Sequence, residues 1–252
     1  MSPGAAPRPR ILLALLGCAA AFGAHAGDEP APDARDRLRF IVQQQCLPHW
    51  LSDHDPAPCT SVGAGFALLA DRKGGAHFLL IPSATVRGIE SPEVRAPGAI
   101  NYFDAAWDGR AALAARLGHA LPRTAIGLAV NSRHARSQDQ LHIHVSCLRA
   151  EVARALAAEV DAIDSQWGPV GLAGRDYLAM RLMGERPGAA NPFKLLAENL
   201  DDSAKSMEEF TLLLAGFDFK EGPGFVLLAG RSAPGAELML DPGCALAAPG
   251  TN

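Results

Sequence analysis

Polar and apolar residues alternate without a break in QLHIHVSC, residues 140–147. With the two-residue period of a β-strand, Gln140, His142, His144 and Ser146 share one face, and Leu141, Ile143, Val145 and Cys147 the other. Apolar runs at 66–70 and 77–81 flank the turn DRKGG at 71–75 and predict a hairpin. A second hairpin is predicted from runs at 210–217 and 225–229 around Glu221-Gly-Pro-Gly224, and a strand at 125–130. Helical spacing marks 36–45, through Leu38, Ile41 and Val42, and 101–117, where Gly118 supplies a stop. Residues 151–163 are Ala-rich and helical, and 192–200 reads as a helix with Asn191 as N-cap before Pro192. Residues 48–58, 83–98 and the stretches around 177–183 carry Pro and Gly and read as loops. The order predicts an α+β fold with a mainly antiparallel sheet.

Composition adds little: 48% of 252 residues are hydrophobic and 20% charged, as in ordinary globular chains. The start changes the picture more. Arg8 and Arg10, an apolar run of about a dozen residues and Ala24-His25-Ala26 have the layout of a signal peptide over residues 1–26. An uncleaved membrane anchor is the main alternative, and lipidation at Cys18 a third. Cleavage would leave residues 27–252 as one domain and move the net charge from −4 to −6 by loss of the two arginines. No basic stripe points to nucleic acid. An exported chain favours disulfides, and Cys46, Cys59, Cys147 and Cys244 allow three connectivities. The expected pairs are Cys46–Cys59, closing a short loop, and Cys147–Cys244, tying the tail to the back of the 140–147 strand.

His142 and His144, two residues apart on a strand, project in parallel roughly 7 Å from one another. Just upstream, Asn131-Ser-Arg-His-Ala-Arg-Ser137 offers amides, hydroxyls and the guanidiniums of Arg133 and Arg136, donors suited to phosphate oxygens. Neutral imidazole beside a phosphate can act as nucleophile, acid or base, which suggests phosphoryl or nucleotidyl transfer without a metal. The plain alternatives are surface histidines and solvated arginines. His-x-His is also a zinc pair, but a third ligand has no sequence signal. Only His144-Val-Ser146 fits the paired His-x-Ser/Thr pattern of two-histidine phosphoesterases, and no Gly-x-Ser-x-Gly marks a serine hydrolase.

The 140–147 stretch resembles the histidine-triad signature, His-φ-His-φ-His-φ-φ with φ apolar, with Asn131 and Ser137 where such nucleotide hydrolases carry an asparagine and a serine. More broadly, the chain resembles the bacterial CDP-diacylglycerol pyrophosphatase family. The matching pieces are CLP at 46–48, PC at 58–59, HFLLIP at 77–82, GIESP at 88–92 and AWDGR at 106–110. They continue with AVNSR at 129–133, HIHVSCLR at 142–149, NPFKLLAE at 191–198 and GFVLLA at 224–229. The resemblance implies a histidine-triad-like (HIT-like) fold and hydrolysis of CDP-diacylglycerol to CMP and phosphatidate, without a cofactor, by an exported protein at a membrane surface. It implies His142 as nucleophile, forming a cytidylyl-histidine, and His144 as a partner in binding and proton movement. Asn131, Ser137, Arg133, Gln140 and Ser146 would bind phosphate or nucleotide. Gln140 departs from the pattern, standing where the first triad histidine belongs; glutamine hydrogen-bonds but does not titrate. The loop 83–98 and Ile100-Asn-Tyr-Phe103 are expected to offer the lipid surface. Other readings are a histidine-triad hydrolase or transferase of soluble nucleotides and a non-catalytic exported binding protein. The oligomeric state has no signal in the sequence.

Overall fold

A computed structural model describes residues 1, 33–172, 174–199, 206–231 and 234–247; residues 2–26 of the expected signal segment lie outside them. Ten strands form one antiparallel sheet: β1 (Ser61–Gly63), β2 (Phe66–Ala70), β3 (His77–Pro82), β4 (Ile126–Val130), β5 (Ile143–Leu148), β6 (Gly168–Leu172), β7 (Arg175–Met183), β8 (Phe210–Phe219), β9 (Gly222–Arg231) and β10 (Leu240–Asp241). Their order is β1-β2-β3-β5-β4-β8-β9-β7-β6, with β10 added to the end of β5. The architecture is α+β, and the histidine strand β5 lies inside the sheet between β3 and β4.

Cross-strand register fixes the two faces, because directly paired residues point the same way. One row runs Phe78, Val145, Leu128, Leu214, Leu227, Met180. Every member is buried in the main apolar core, beneath α3 (Tyr102–Asp108) and α4 (Arg110–Leu117). The neighbouring row on the opposite face runs Leu69, Leu79, His144, Ala129, Leu213, Leu228, Ala179. Leu69 and Leu79 sit in one apolar cluster and Ala129 to Ala179 in another, so His144 marks the seam. The first cluster is covered by Leu38, Val42 and Cys46 from an N-terminal helical stretch, α1 (Arg37–Ile41), a π-helical turn (Val42–Cys46) and α2 (Leu47–Asp53). The second is covered by Leu156 of α5 (Ala150–Glu159) and by Ala236 and Leu240 of the C-terminal segment. Both expected disulfides form, Cys46–Cys59 under the N-terminal cover and Cys147–Cys244 behind the histidines.

Four sequence expectations change. The helix expected at 36–45 continues to Asp53, through a stretch expected as loop, because Pro48 sits in the first turn after the π segment, where its missing N–H costs little. The helix expected at 101–117 breaks at Gly109, where a Cβ would lie 2.9 Å from Ala106 O and 3.3 Å from Val145 of the sheet. An unexpected strand, β6, pairs with β7. It is an edge strand, the position that tolerates its Pro169. Finally, the histidine strand starts at Ile143, not at Gln140. Its ladder with β3 ends at the Leu80–Ile143 pair and its ladder with β4 at Ala129–His144, and Leu141 N–H instead donates to Val86 O at 2.6 Å.

Candidate active site

His144 lies on β5 and His142 just before it, and their rings meet edge to face with centroids 4.9 Å apart. Both are almost wholly enclosed, at 4% and 7% exposure. His142 Nδ1 lies 2.8 Å from the backbone oxygen of Gln140. A carbonyl only accepts, so Nδ1 carries the proton and Nε2 keeps its lone pair. Burial pushes the His142 pKa below the ordinary 6.5, with the Gln140 carbonyl and Glu237 pulling the other way. The ring is neutral at neutral pH, with a free ring nitrogen.

A third imidazole joins them. His77 heads β3, opposite Ser146, and its Nε2 lies 3.0 Å from His144 Nδ1. His77 Nδ1 is 3.2 Å from Asp71 Oδ2, and His144 Nε2 is 3.2 Å from Glu237 Oε2. Both carboxylates are within ion-pair reach, yet off the direction of a ring N–H. Burial, then the neighbouring His142 and His77, holds His144 well below 6.5. Burial also lowers His77, against the pull of Asp71. Asp71, His77 and His144 bring ligand atoms within 4.8 Å of one another, a set that could hold a cation. The two imidazole nitrogens that face each other are already joined by a hydrogen bond.

His142, His144, Asp71 and Glu237 border a cavity of about 270 Å³ at the seam between the covers, with His77 behind His144. One wall is apolar, from Leu38, Ile41, Leu69 and Leu79. The other is polar, with Asn131, Ser137, Gln138 and Glu237. Arg37, Arg72 and Lys73 also line it and have no ion-pair partner among the described residues. The covers are held in register locally. Arg35 pairs with Asp139 at 2.7 Å and Leu38 N–H donates to Gln138 Oε1 at 3.1 Å, docking α1 on the 131–139 turn. Opposite, Glu237 N–H donates to Asn131 Oδ1 at 3.3 Å. Gly235 lies so close that a Cβ would stand 2.8 Å from that oxygen.

The structure thus brings together His142, His144, Asn131 and Ser137 of the expected set. Gln140, Ser146 and Arg133 do not line this cavity. The Gln140 side chain is fully buried and donates to Pro82 O at 3.0 Å and Ala84 O at 2.8 Å, securing the loop after β3. What Gln140 gives the site is its backbone carbonyl. Ser146 Oγ donates to Ala76 O at 2.7 Å, beneath the turn that carries Asp71. Arg133 is exposed and paired with Glu208 at 2.7 Å. Arg136 is buried and forks onto Glu90, with both contacts at 2.7 Å. Burial would raise the Glu90 carboxyl, but the Arg136 hydrogen bond holds it below its usual range. His77, Asp71 and Glu237 had no sequence signal beyond their types; only pairing β3 with β5 in the correct register could have found His77. In the segments expected to offer a lipid surface, Tyr102, Phe103, Val86, Ile89 and Val94 are buried and Ile100 is exposed.

Comparison with known proteins agrees with this chemistry. The family model for CDP-diacylglycerol pyrophosphatase matches residues 33–248. A CDP-diacylglycerol pyrophosphatase of Yersinia pestis is 40% identical over 202 residues, which is 79% of this chain and 77% of that protein. The match spans the N-terminal cover, the histidine strand and the C-terminal cover alike, and on that breadth the chain belongs to the CDP-diacylglycerol pyrophosphatase family.

Proposed function

We propose that the chain hydrolyses CDP-diacylglycerol to CMP and phosphatidate through a covalent cytidylyl intermediate on His142 Nε2. The observation that carries this reading is the 2.8 Å contact of His142 Nδ1 with the Gln140 carbonyl, which leaves Nε2 unprotonated. Nε2 attacks the phosphorus bonded to cytidine; the P–N bond forms as the bond to the bridging oxygen breaks, and phosphatidate leaves with that electron pair. Water then attacks the same phosphorus, CMP departs, and His142 regains its lone pair. Asn131 and Ser137 orient the phosphate, and Arg37, Arg72 and Lys73, without ion-pair partners among the described residues, balance its charge. The wall of Leu38, Ile41, Leu69 and Leu79 suits the face of a base.

The attacking water must lose a proton. Asp71, His77, His144 and Glu237 form a row of three contacts. Two neutral imidazoles bring only two protons to it. The row is the candidate acceptor for that proton, as a coupled unit whose two end carboxylates lie within ion-pair reach and offset the added charge. Gln140 needs no titration in this scheme, because its contributions are a carbonyl and a structural amide. The fold is assigned as HIT-like on the antiparallel sheet and the placement of the His-x-His strand. Two disulfides support an exported, periplasmic location for a single domain over 27–252, acting at a membrane surface. No helix among the described residues is long and apolar enough to cross a membrane.

The Asp71–His77–His144 cluster favours a second reading, a cation-dependent hydrolase. The two readings part on a trapped intermediate. Brief reaction with substrate labelled at the cytidine-side phosphorus, then alkaline denaturation, should leave label on the peptide containing His142. Burst turnover with no labelled peptide would favour direct attack by cation-bound water.

A further inference from the structure

The described pocket accounts for the nucleotide end of the substrate and leaves its apolar end without a place. A second cavity, of about 430 Å³, opens between α5 and residues 234–239. Its lining includes Val152, Ala155, Leu172, Tyr177, Leu238 and Met239. The charged lining residues, Glu151 and Arg175, are exposed and so stand at the rim, while Leu172 and Tyr177 are buried and form the floor. A volume in the range of about 300–1,000 Å³ with an apolar floor and polar rim is the ordinary make-up of a small-ligand site.

The two cavities share one wall. In the segment 235–239, Glu237 borders the histidine pocket, while Gly235, Leu238 and Met239 border the second cavity. The wall is firmly held. Met239 O accepts from Arg149 N–H at 2.9 Å, Leu238 O accepts from Arg149 Nε at 2.7 Å, and Leu240 and Asp241 pair with β5. At its crest Leu238 is 59% exposed, one of the large apolar side chains left in solvent among the described residues. Ile100 and Met183, also exposed, line none of the cavities described, and the 100–103 segment is mostly buried. An apolar cavity one backbone segment away from the reacting phosphate has the position and chemistry required of a diacylglycerol.

We propose that this cavity is an acyl-chain subsite, in which one fatty acyl chain of the lipid substrate crosses Leu238 and lies against α5. The proposal rests on the hydrolysis of CDP-diacylglycerol proposed above. It orders the substrate along the sheet face: base over α1, phosphates at the histidines, glycerol over residues 235–238, chain in the second cavity.

Two measurements test it. With monomeric short-chain substrates, from dibutanoyl to dioctanoyl, kcat/KM should climb about fourfold for each methylene buried, the factor expected of apolar transfer. Leu238→Glu, at an exposed position, and Val152→Glu should flatten that climb, whereas Ile100→Glu should not. A flat profile in the unaltered protein, or one unchanged by both cavity variants, would overturn the subsite. The second readout needs no turnover: phosphatidate with a photoreactive diazirine at the chain end should label residues 150–159 and 234–239. Labelling confined elsewhere, or none, would overturn it. If no CDP-lipid releases CMP, the hydrolytic reading fails, and the site of labelling still decides the cavity.

Discussion

The two covers that meet over the histidines are each stapled by a disulfide, but the staples do different things. Cys46–Cys59 spans 13 residues and joins the end of the π turn to the loop after α2, so it shapes the N-terminal cover from within. Cys147–Cys244 spans 97 residues and bonds the C-terminal cover to the strand that bears His144. The N-terminal cover lends the pocket an apolar wall and Arg37. The C-terminal cover lends Glu237, 3.2 Å from His144, and the Gly235 backbone against Asn131. The same covalent device thus stabilises one wall as a scaffold and sets the other in register with the reacting groups.

The largest effect expected from breaking this comparison is at the second staple. On the loop-entropy account, closing a loop of about 100 residues is worth about 4.7 kcal/mol and one of about 15 residues about 3 kcal/mol. Cys147→Ala with Cys244→Ala should therefore lower denaturant stability by about 4–5 kcal/mol. In the fraction still folded, kcat should also fall, because Glu237 loses its tether. The Cys46→Ala, Cys59→Ala protein should lose about 3 kcal/mol, with its change falling mainly on KM. Equal losses of kcat in the two would erase the distinction drawn between the covers.

A smaller effect is expected at Gln140. Gln140→Ala strands the carbonyls of Pro82 and Ala84, a cost of about 1–3 kcal/mol for buried acceptors left unpaired. Its backbone carbonyl stays beside His142, so at permissive temperature kcat should stay within an order of magnitude of the unaltered protein. A far deeper loss would show that the Gln140 side chain takes part in the chemistry.

The mildest perturbation is pH. His77, His142 and His144 all have folded pKa values pushed below 6.5 by burial. Between those values and 6.5 the unfolded chain binds more protons than the folded one, so stability falls as pH drops below 6.5 and levels off above it. Activity should keep its nucleophile to lower pH than a free histidine would allow. An acid limb of kcat/KM at or above 6.5 would mean that His142 is not buried in its neutral form.

The chain pattern made half of this site legible. Alternation in 140–147 places His144 on a polar face, and the four cysteines outside the expected signal segment pointed to both staples. What it concealed depends on register and chain closure. His77 begins a wholly buried apolar strand, and its relation to His144, 67 residues away, appears only when β3 pairs with β5. Asp71 reads as a turn residue and Glu237 as part of a tail without periodicity. Gln140 misled for a different reason. The alternation runs unbroken to residue 140, but the pairing with β3 ends at Leu80–Ile143, and beyond it the amide turns to the loop after β3 instead of the pocket.

The central claim is that a neutral, buried His142 carries out the reaction. Its most direct test is CMP release from CDP-diacylglycerol by the purified protein in EDTA, beside His142→Ala under the same conditions. The account predicts release that EDTA does not affect, with a loss on the order of 10⁴-fold or more in the variant, the scale seen when a covalent nucleophile is removed. Release abolished by EDTA, or retained by His142→Ala, would contradict it.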